Sequence, residues 1–129
     1  MTHIDATTSR KIDLYLEKIY PDSKLAGDEL AAKKLEKTQL RGLETVITST
    51  SRFSEIINYI KNQAARDTNR KWIDVAPRLI RQLDALEAQA ETLGNGDASL
   101  ILDIKMKLAR GWGKQVITHC LYELQRKGR

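Results

Sequence analysis

Apolar residues recur at three- and four-residue steps along nearly the whole chain, and alternation of apolar and polar positions never lasts more than a few residues. That spacing predicts helices and leaves no segment that reads as a strand. The first stripe is Ile12, Tyr15, Leu16 and Ile19, with Ser9 as a candidate cap and Pro21, Asp22 and Ser23 as its end. Gly27 and Asp28 open a weakly amphipathic segment carrying Leu30, Ala31 and Leu35. From Thr38, a candidate cap, one face continues through Leu40, Leu43, Ile47, Thr50, Ser54, Ile57, Ile60 and Ala64 to about Arg66. Residues 45–54 are rich in the weaker helix formers Thr, Ser, Val and Ile and leave room for a break near Ser49 to Ser51.

Asp67, Thr68 and Asn69 read as a polar connection. Asp74 can then cap a helix with Pro77 in its first turn and Leu79, Ile80, Leu83, Leu86, Ala90 and Leu93 on one face, stopped by Gly94, Asn95 and Gly96. Asp97 starts a helix with Leu100, Ile101, Ile104 and Leu108. Gly111 and Gly113 flank Trp112 and predict a separation from a final helix with Val116, Ile117, Cys120, Leu121 and Leu124. The expectation is an all-α chain, a compact bundle of five or six antiparallel helices, forming a single domain over 1–129 without internal repeats.

Composition narrows the class. At 129 residues the chain fits one core, and with 41% hydrophobic and 30% charged residues it is too apolar for a disordered chain and too polar for a membrane protein. No apolar run nears the ~20 residues of a bilayer span, and Met1 to Arg10 lack a signal-like apolar core, so the expected location is the cytoplasm, away from membranes. One cysteine, Cys120, excludes an internal disulfide and a multi-cysteine zinc site. With only His3 and His119 as histidines, no metal and no cofactor is expected.

Enzyme signatures are missing as well. Gly94-Asn95-Gly96 has neither the preceding strand nor the downstream Lys-Ser/Thr of a phosphate loop and reads as a helix stop. Neighbouring His119 and Cys120 point about 100° apart on a helix and cannot act as a base and nucleophile pair, while Cys120 continues an apolar stripe. Asp84, Glu87 and Glu91 could hold a divalent ion, meet a basic face of another copy, or simply face solvent. No catalytic residue is assigned.

Charge is distributed unevenly about a net of +5. Residues 82–103 hold five acidic groups and no basic one, whereas 104–129 hold seven basic groups against Glu123 alone. Lys107, Arg110 and Lys114 fall at i, i+3 and i+7, on one side of a helix whose other side carries Ile101, Ile104 and Leu108; Lys105 flanks them. Such rows suit phosphate backbones, where cations displace condensed counterions and read no sequence. Aromatics are only 5%, with no stacking cluster, which favours a duplex backbone over bare single strands. Trp112 can serve as a stacking residue or as a buried anchor.

Two stretches carry a resemblance. Lys37-Thr38-Gln39-Leu40-Arg41 resembles the Thr-Gln-Leu-Arg opening the first core helix of the small helical subunit of type III CRISPR effector complexes, the Csm-type small subunit. Ile104-Lys105-Met106-Lys107-Leu108-Ala109-Arg110-Gly111 resembles that family's later basic-apolar segment. The similarity spans roughly 36–121, and residues 1–27 form an N-terminal extension that matches the family poorly. The family more often has an aromatic before the Ala and Arg directly after the Gly, where this chain has Arg110 before Gly111 and then Trp112-Gly113-Lys114.

The resemblance implies a non-catalytic subunit in antiviral defence that stacks in more than one copy within a ribonucleoprotein. It would contact guide RNA and target RNA, other subunits of the effector complex, and copies of itself. Arg41, Lys105, Lys107 and Arg110 carry over as RNA-binding residues, and Lys114 joins them from helical phase. The alternative is a helical protein-interaction adaptor without RNA binding, its basic end meeting an acidic protein.

Overall fold

The computed structural model describes residues 4–128, so His3 and Arg129 lie outside the described residues. Five helices follow one another: α1 (Ala6–Ala32), α2 (Lys37–Ser49), α3 (Phe53–Ala65), α4 (Ala76–Gly94) and α5 (Ala98–Lys127). No strand forms among the described residues, and the helices pack around one apolar core.

Several ends differ from the sequence expectation, each for a local reason. Asp5, not Ser9, caps α1, its carboxylate accepting from the Thr8 amide at 2.7 Å. Pro21 does not end this helix but lies within it. Proline removes one backbone donor, and side chains of neighbouring helices hold α1 on either side of it. Gln115 donates to the Leu16 carbonyl at 3.1 Å, and Gln82 to the Asp22 carbonyl at 2.9 Å. Glu36 caps α2 two residues before Thr38, the expected cap, its amide donating to the Gln39 side-chain oxygen at 3.1 Å. Asp74 does not cap α4, whose N-cap is Val75; its carboxylate is held instead by Lys33 at 2.7 Å and Arg70 at 3.3 Å. The interruption between α2 and α3 falls at 50–52. There Thr48 and Ser49 bond back to carbonyls one turn earlier, and the Thr50 hydroxyl takes the Arg52 amide at 3.1 Å.

That interruption resets the helical phase. The buried face of α3 is Phe53, Ile56, Ile60 and Ala64, and Ile57, expected in the stripe, is only half-buried. Asn95, in the left-handed region at φ 47°, and Gly96 at φ 84° end α4 as expected, and Asp97 caps α5 through the Leu100 amide at 3.1 Å. Gly111 and Gly113 do not break α5, which runs for 30 residues. The helix persists because α5 lies in the middle of the bundle and touches all four other helices. Its buried residues, including Ile104, Met106, Leu108, Ala109, Trp112, Val116 and Cys120, occupy more than one side. Trp112 is an anchor in that core, its indole N–H donating to Gln82 at 2.8 Å.

The most extensive helix contact joins α1 to α5, the first and last elements. Contacting residues rise in number together, Leu16 near Gly111 and Gly27 near Val116 and Cys120, so the two run in the same direction. α4 instead opposes α5, with Glu87 facing Lys105 and Gln82 facing Trp112. At Gly27 the backbones nearly touch: a Cβ there would lie 2.9 Å from the Val116 carbonyl oxygen and 3.2 Å from the Cys120 amide nitrogen. Backbone cannot rotate aside as a side chain can. Gly27→Ala should therefore destabilise the fold by about 2 kcal/mol, overpacking outweighing the roughly 1 kcal/mol gained in helix propensity. Gly113→Ala, whose Cβ would meet only side-chain atoms of Ile47 and no backbone, should change stability less; paired chemical denaturation curves measure both.

Candidate nucleic-acid interface

A central helix exposes only a narrow strip, and in the middle of α5 that strip is basic. Lys107, Arg110 and Lys114 are all exposed, whereas Ile104, Leu108 and Trp112 between them are buried. Spacing of three and four residues keeps the cations on one side. Arg110 lies between two open hollows. One, of about 600 Å³, is bordered by Ser51, Leu102, Asp103, Met106 and Lys107. The other, of about 370 Å³, runs between α2 and α5 and is bordered by Glu44, Thr48, Gly113, Lys114 and Thr118. The Arg110 guanidinium reaches toward the Thr50 carbonyl at 3.5 Å, a long contact that leaves its other donors for a ligand.

Arg41 is exposed on α2. It precedes Glu44 by three residues and Thr48 by seven, and so stands on the side of α2 that borders the second hollow. Sequence phase thus groups Lys107, Arg110 and Lys114, and the bundle sets Arg41 on the flank of the same groove. Glu44 and Asp103 lie within this surface and lower its potential.

Lys105 is placed elsewhere. Its ammonium bonds the Glu87 carboxylate at 2.9 Å and stands 5.3 Å from the centre of the Phe53 ring, with only 18% of the side chain exposed. It faces α3 and α4, away from the groove, and joins helices together. Two residues from Lys107 on a helix means about 200° of rotation, which accounts for the separation. The same contact uses Glu87, so of the acidic trio on α4 only Asp84 and Glu91 are fully at the surface.

His119, which its position on the helix turns away from Cys120, pairs with Asp28 of α1, ring nitrogen to carboxylate at 2.7 Å. Burial pushes the Cys120 thiol up to about 12, so it is a neutral core thiol at physiological pH. The groove hydroxyls of Thr48 and Thr118 and the pairing of His119 were missed, since contacts between helices distant in sequence leave no periodic signal. No helix among the described residues is long and apolar enough to cross a membrane. No protein-family model, curated protein or solved structure matches the chain.

The different placements of these cations separate structure from surface. Lys105→Ala should lower stability by about 1 kcal/mol through lost stem packing and the ring contact, the half-exposed ion pair adding little. Arg41→Ala, Lys107→Ala and Lys114→Ala should each stay within about 0.5 kcal/mol of the parent in the same denaturation assay.

Proposed function

We propose that the protein is a non-catalytic, RNA-backbone-binding small subunit of a type III CRISPR ribonucleoprotein, acting in the cytoplasm in antiviral defence. The observation that carries this is the exposed row Lys107, Arg110 and Lys114 beside the α2–α5 groove, with Arg41 on its flank. Of the four residues that the family resemblance implicates, three belong to this surface. Lys105 is withdrawn from it by its contact with Glu87 and is reassigned to a structural role.

Phosphate oxygens along a duplex suit such a row, because each cation neutralises one charge and releases its counterion. The row is short and faced across the groove by Glu44 of α2, so binding by one copy is modest and independent of base sequence. Guide RNA and target RNA are the proposed ligands, with neighbouring subunits and further copies of the chain as protein partners. The adaptor alternative places an acidic protein in the same groove, and salt dependence distinguishes the two. Replacing Lys107 and Arg110 together by Ala should weaken unrelated RNAs by a similar factor and reduce the slope of log affinity against log salt by about one to two. Unchanged RNA affinity, or loss confined to a single sequence, would refute backbone binding by this face.

Stacking of copies needs a second, complementary surface on each one. Asp84 and Glu91 are the exposed acidic residues of α4 and the natural complement to the basic row. Reversing both to Lys, with Glu87 left to its partner Lys105, should leave single-copy RNA binding intact or slightly stronger. The same change should lower the number of copies retained in an assembled complex by native mass spectrometry; an unchanged number would make α4 a plain solvated face.

A further inference from the structure

Toward the C-terminal end of the α1–α5 seam, Asp28, His119 and Glu123 converge. One donor atom from each, a carboxylate oxygen or a ring nitrogen, lies within 4.8 Å of the other two. His119 and Glu123 are four residues apart and so share a face of α5, while Asp28 comes from α1. The close approach at Gly27 fixes the distance between the helices: a Cβ there would sit 3.1 Å from His119 Cδ2. The donors are thus held by two rigid elements and not by a loop.

Burial is graded across the cluster. The side chains of His119 and Glu123 are 15% and 12% exposed, and that of Asp28 is 44% exposed, so the cluster opens on the Asp28 side. Glu123 is the one buried charged residue among those described. Arg126 grips its carboxylate, Nε to Oε2 at 2.7 Å and Nη2 to Oε1 at 3.3 Å, and holds it below the usual carboxylate range, ionised and in place. A long helix could place that carboxylate in solvent at no cost. Here it is turned toward a histidine and a second carboxylate.

We propose that Asp28, His119 and Glu123 form a divalent transition-metal site for which Zn²⁺ is the best-matched ion. One imidazole nitrogen with two carboxylate oxygens suits a borderline-soft ion, whereas Mg²⁺ and Ca²⁺ favour shells of oxygen alone. A four-coordinate Zn²⁺ holds donors at about 2.0–2.2 Å and therefore roughly 3.3–3.6 Å from one another. Reaching that spacing requires His119 and Asp28, now 2.7 Å apart, to part slightly and the third donor, within 4.8 Å of both, to draw in. Glu123 can give one oxygen to the ion and keep the other on Arg126, an outer hydrogen bond of the kind metal-bound carboxylates commonly retain. The fourth position faces outward past Asp28 and takes water or a partner's side chain. The low histidine count argued against metal chemistry, yet one histidine suffices where carboxylates supply the other donors. Bound there, the ion would cross-link α1 to α5 and stabilise the folded chain.

The test uses the full chain, stripped with a chelator that is then removed, and ZnCl₂ in a non-coordinating buffer at neutral pH. Calorimetry is expected to show one equivalent bound, and a Zn²⁺ excess of about 100-fold over Kd should raise the melting temperature by several degrees. Mg²⁺ should give no rise. His119→Gln, Glu123→Gln and Asp28→Asn should each weaken Zn²⁺ binding at least tenfold, with circular dichroism and the metal-free melt of each variant reporting whether it is folded. His3 is retained throughout, so binding there would persist in all three variants. Absence of saturable one-to-one binding below about 100 µM would overturn the proposal. So would unchanged affinity in folded His119→Gln.

Discussion

The bundle depends on the seam between its first and last helices. Gly27 lets α1 approach until backbone meets backbone at Val116 and Cys120, a separation that any larger residue would widen. Along that seam Gln115 holds the Leu16 carbonyl and His119 holds Asp28. The seam joins residues about ninety apart in sequence, and α2, α3 and α4 all lie in the chain between its two sides. Pro21 is tolerated for the same reason. A proline in an isolated helix interior costs about 3 kcal/mol, whereas α1 is held on both sides of it, by Ile12 before and by Ala26, Leu30 and Ala31 after.

Placing α5 in the middle decides where a surface can form. A helix in contact with four others has no broad free face, and whatever it presents to a partner comes from residues three and four apart. Lys107, Arg110 and Lys114 meet that condition. Lys105 does not, and its direction sends it to Glu87 and Phe53. A basic segment of a central helix therefore divides by phase into cations that join the bundle and cations that leave it, and composition alone cannot sort them.

Much of the fold was legible because periodicity reports burial. Leu40, Leu43, Ile47, Leu79, Leu83, Leu86, Ile104 and Leu108 were expected in the core and are buried there. Expectations failed where a local rule was overridden by contacts from outside its window. Pro21 and Gly111-Trp112-Gly113 read as stops, but gains from packing on other helices exceed their local cost. Asp74 read as a cap, but Lys33, 41 residues away, claims it. Ile57 was misplaced because the non-helical residues 50–52 break the phase carried over from α2, and α3 buries Ile56 together with Phe53, Ile60 and Ala64. Leu121, expected in the stripe, is 38% exposed because Cys120 and Glu123 take the inward directions of that turn. Of the candidate interface, the α5 row was legible from spacing alone. The flank supplied by α2 was not, since it depends on which helices are neighbours.

Glu44 and Asp103 beside the basic row bear on how an RNA-binding function would be achieved. Each offsets a neighbouring cation, leaving a surface of modest positive potential whose steering reaches about one Debye length, roughly 8–10 Å. In an RNA-binding subunit of this kind the affinity of a single copy would then be small, and occupancy would come from neighbours that hold it near the strand. A protein partner raises the effective concentration of the groove at the backbone to the millimolar range, and two contacts each too weak to persist alone combine into one that lasts. In such a subunit the same acidic residues would reduce unproductive binding to other nucleic acids before assembly. A weakly basic groove on a rigid bundle is thus consistent with a component that binds RNA inside an assembly and releases it outside.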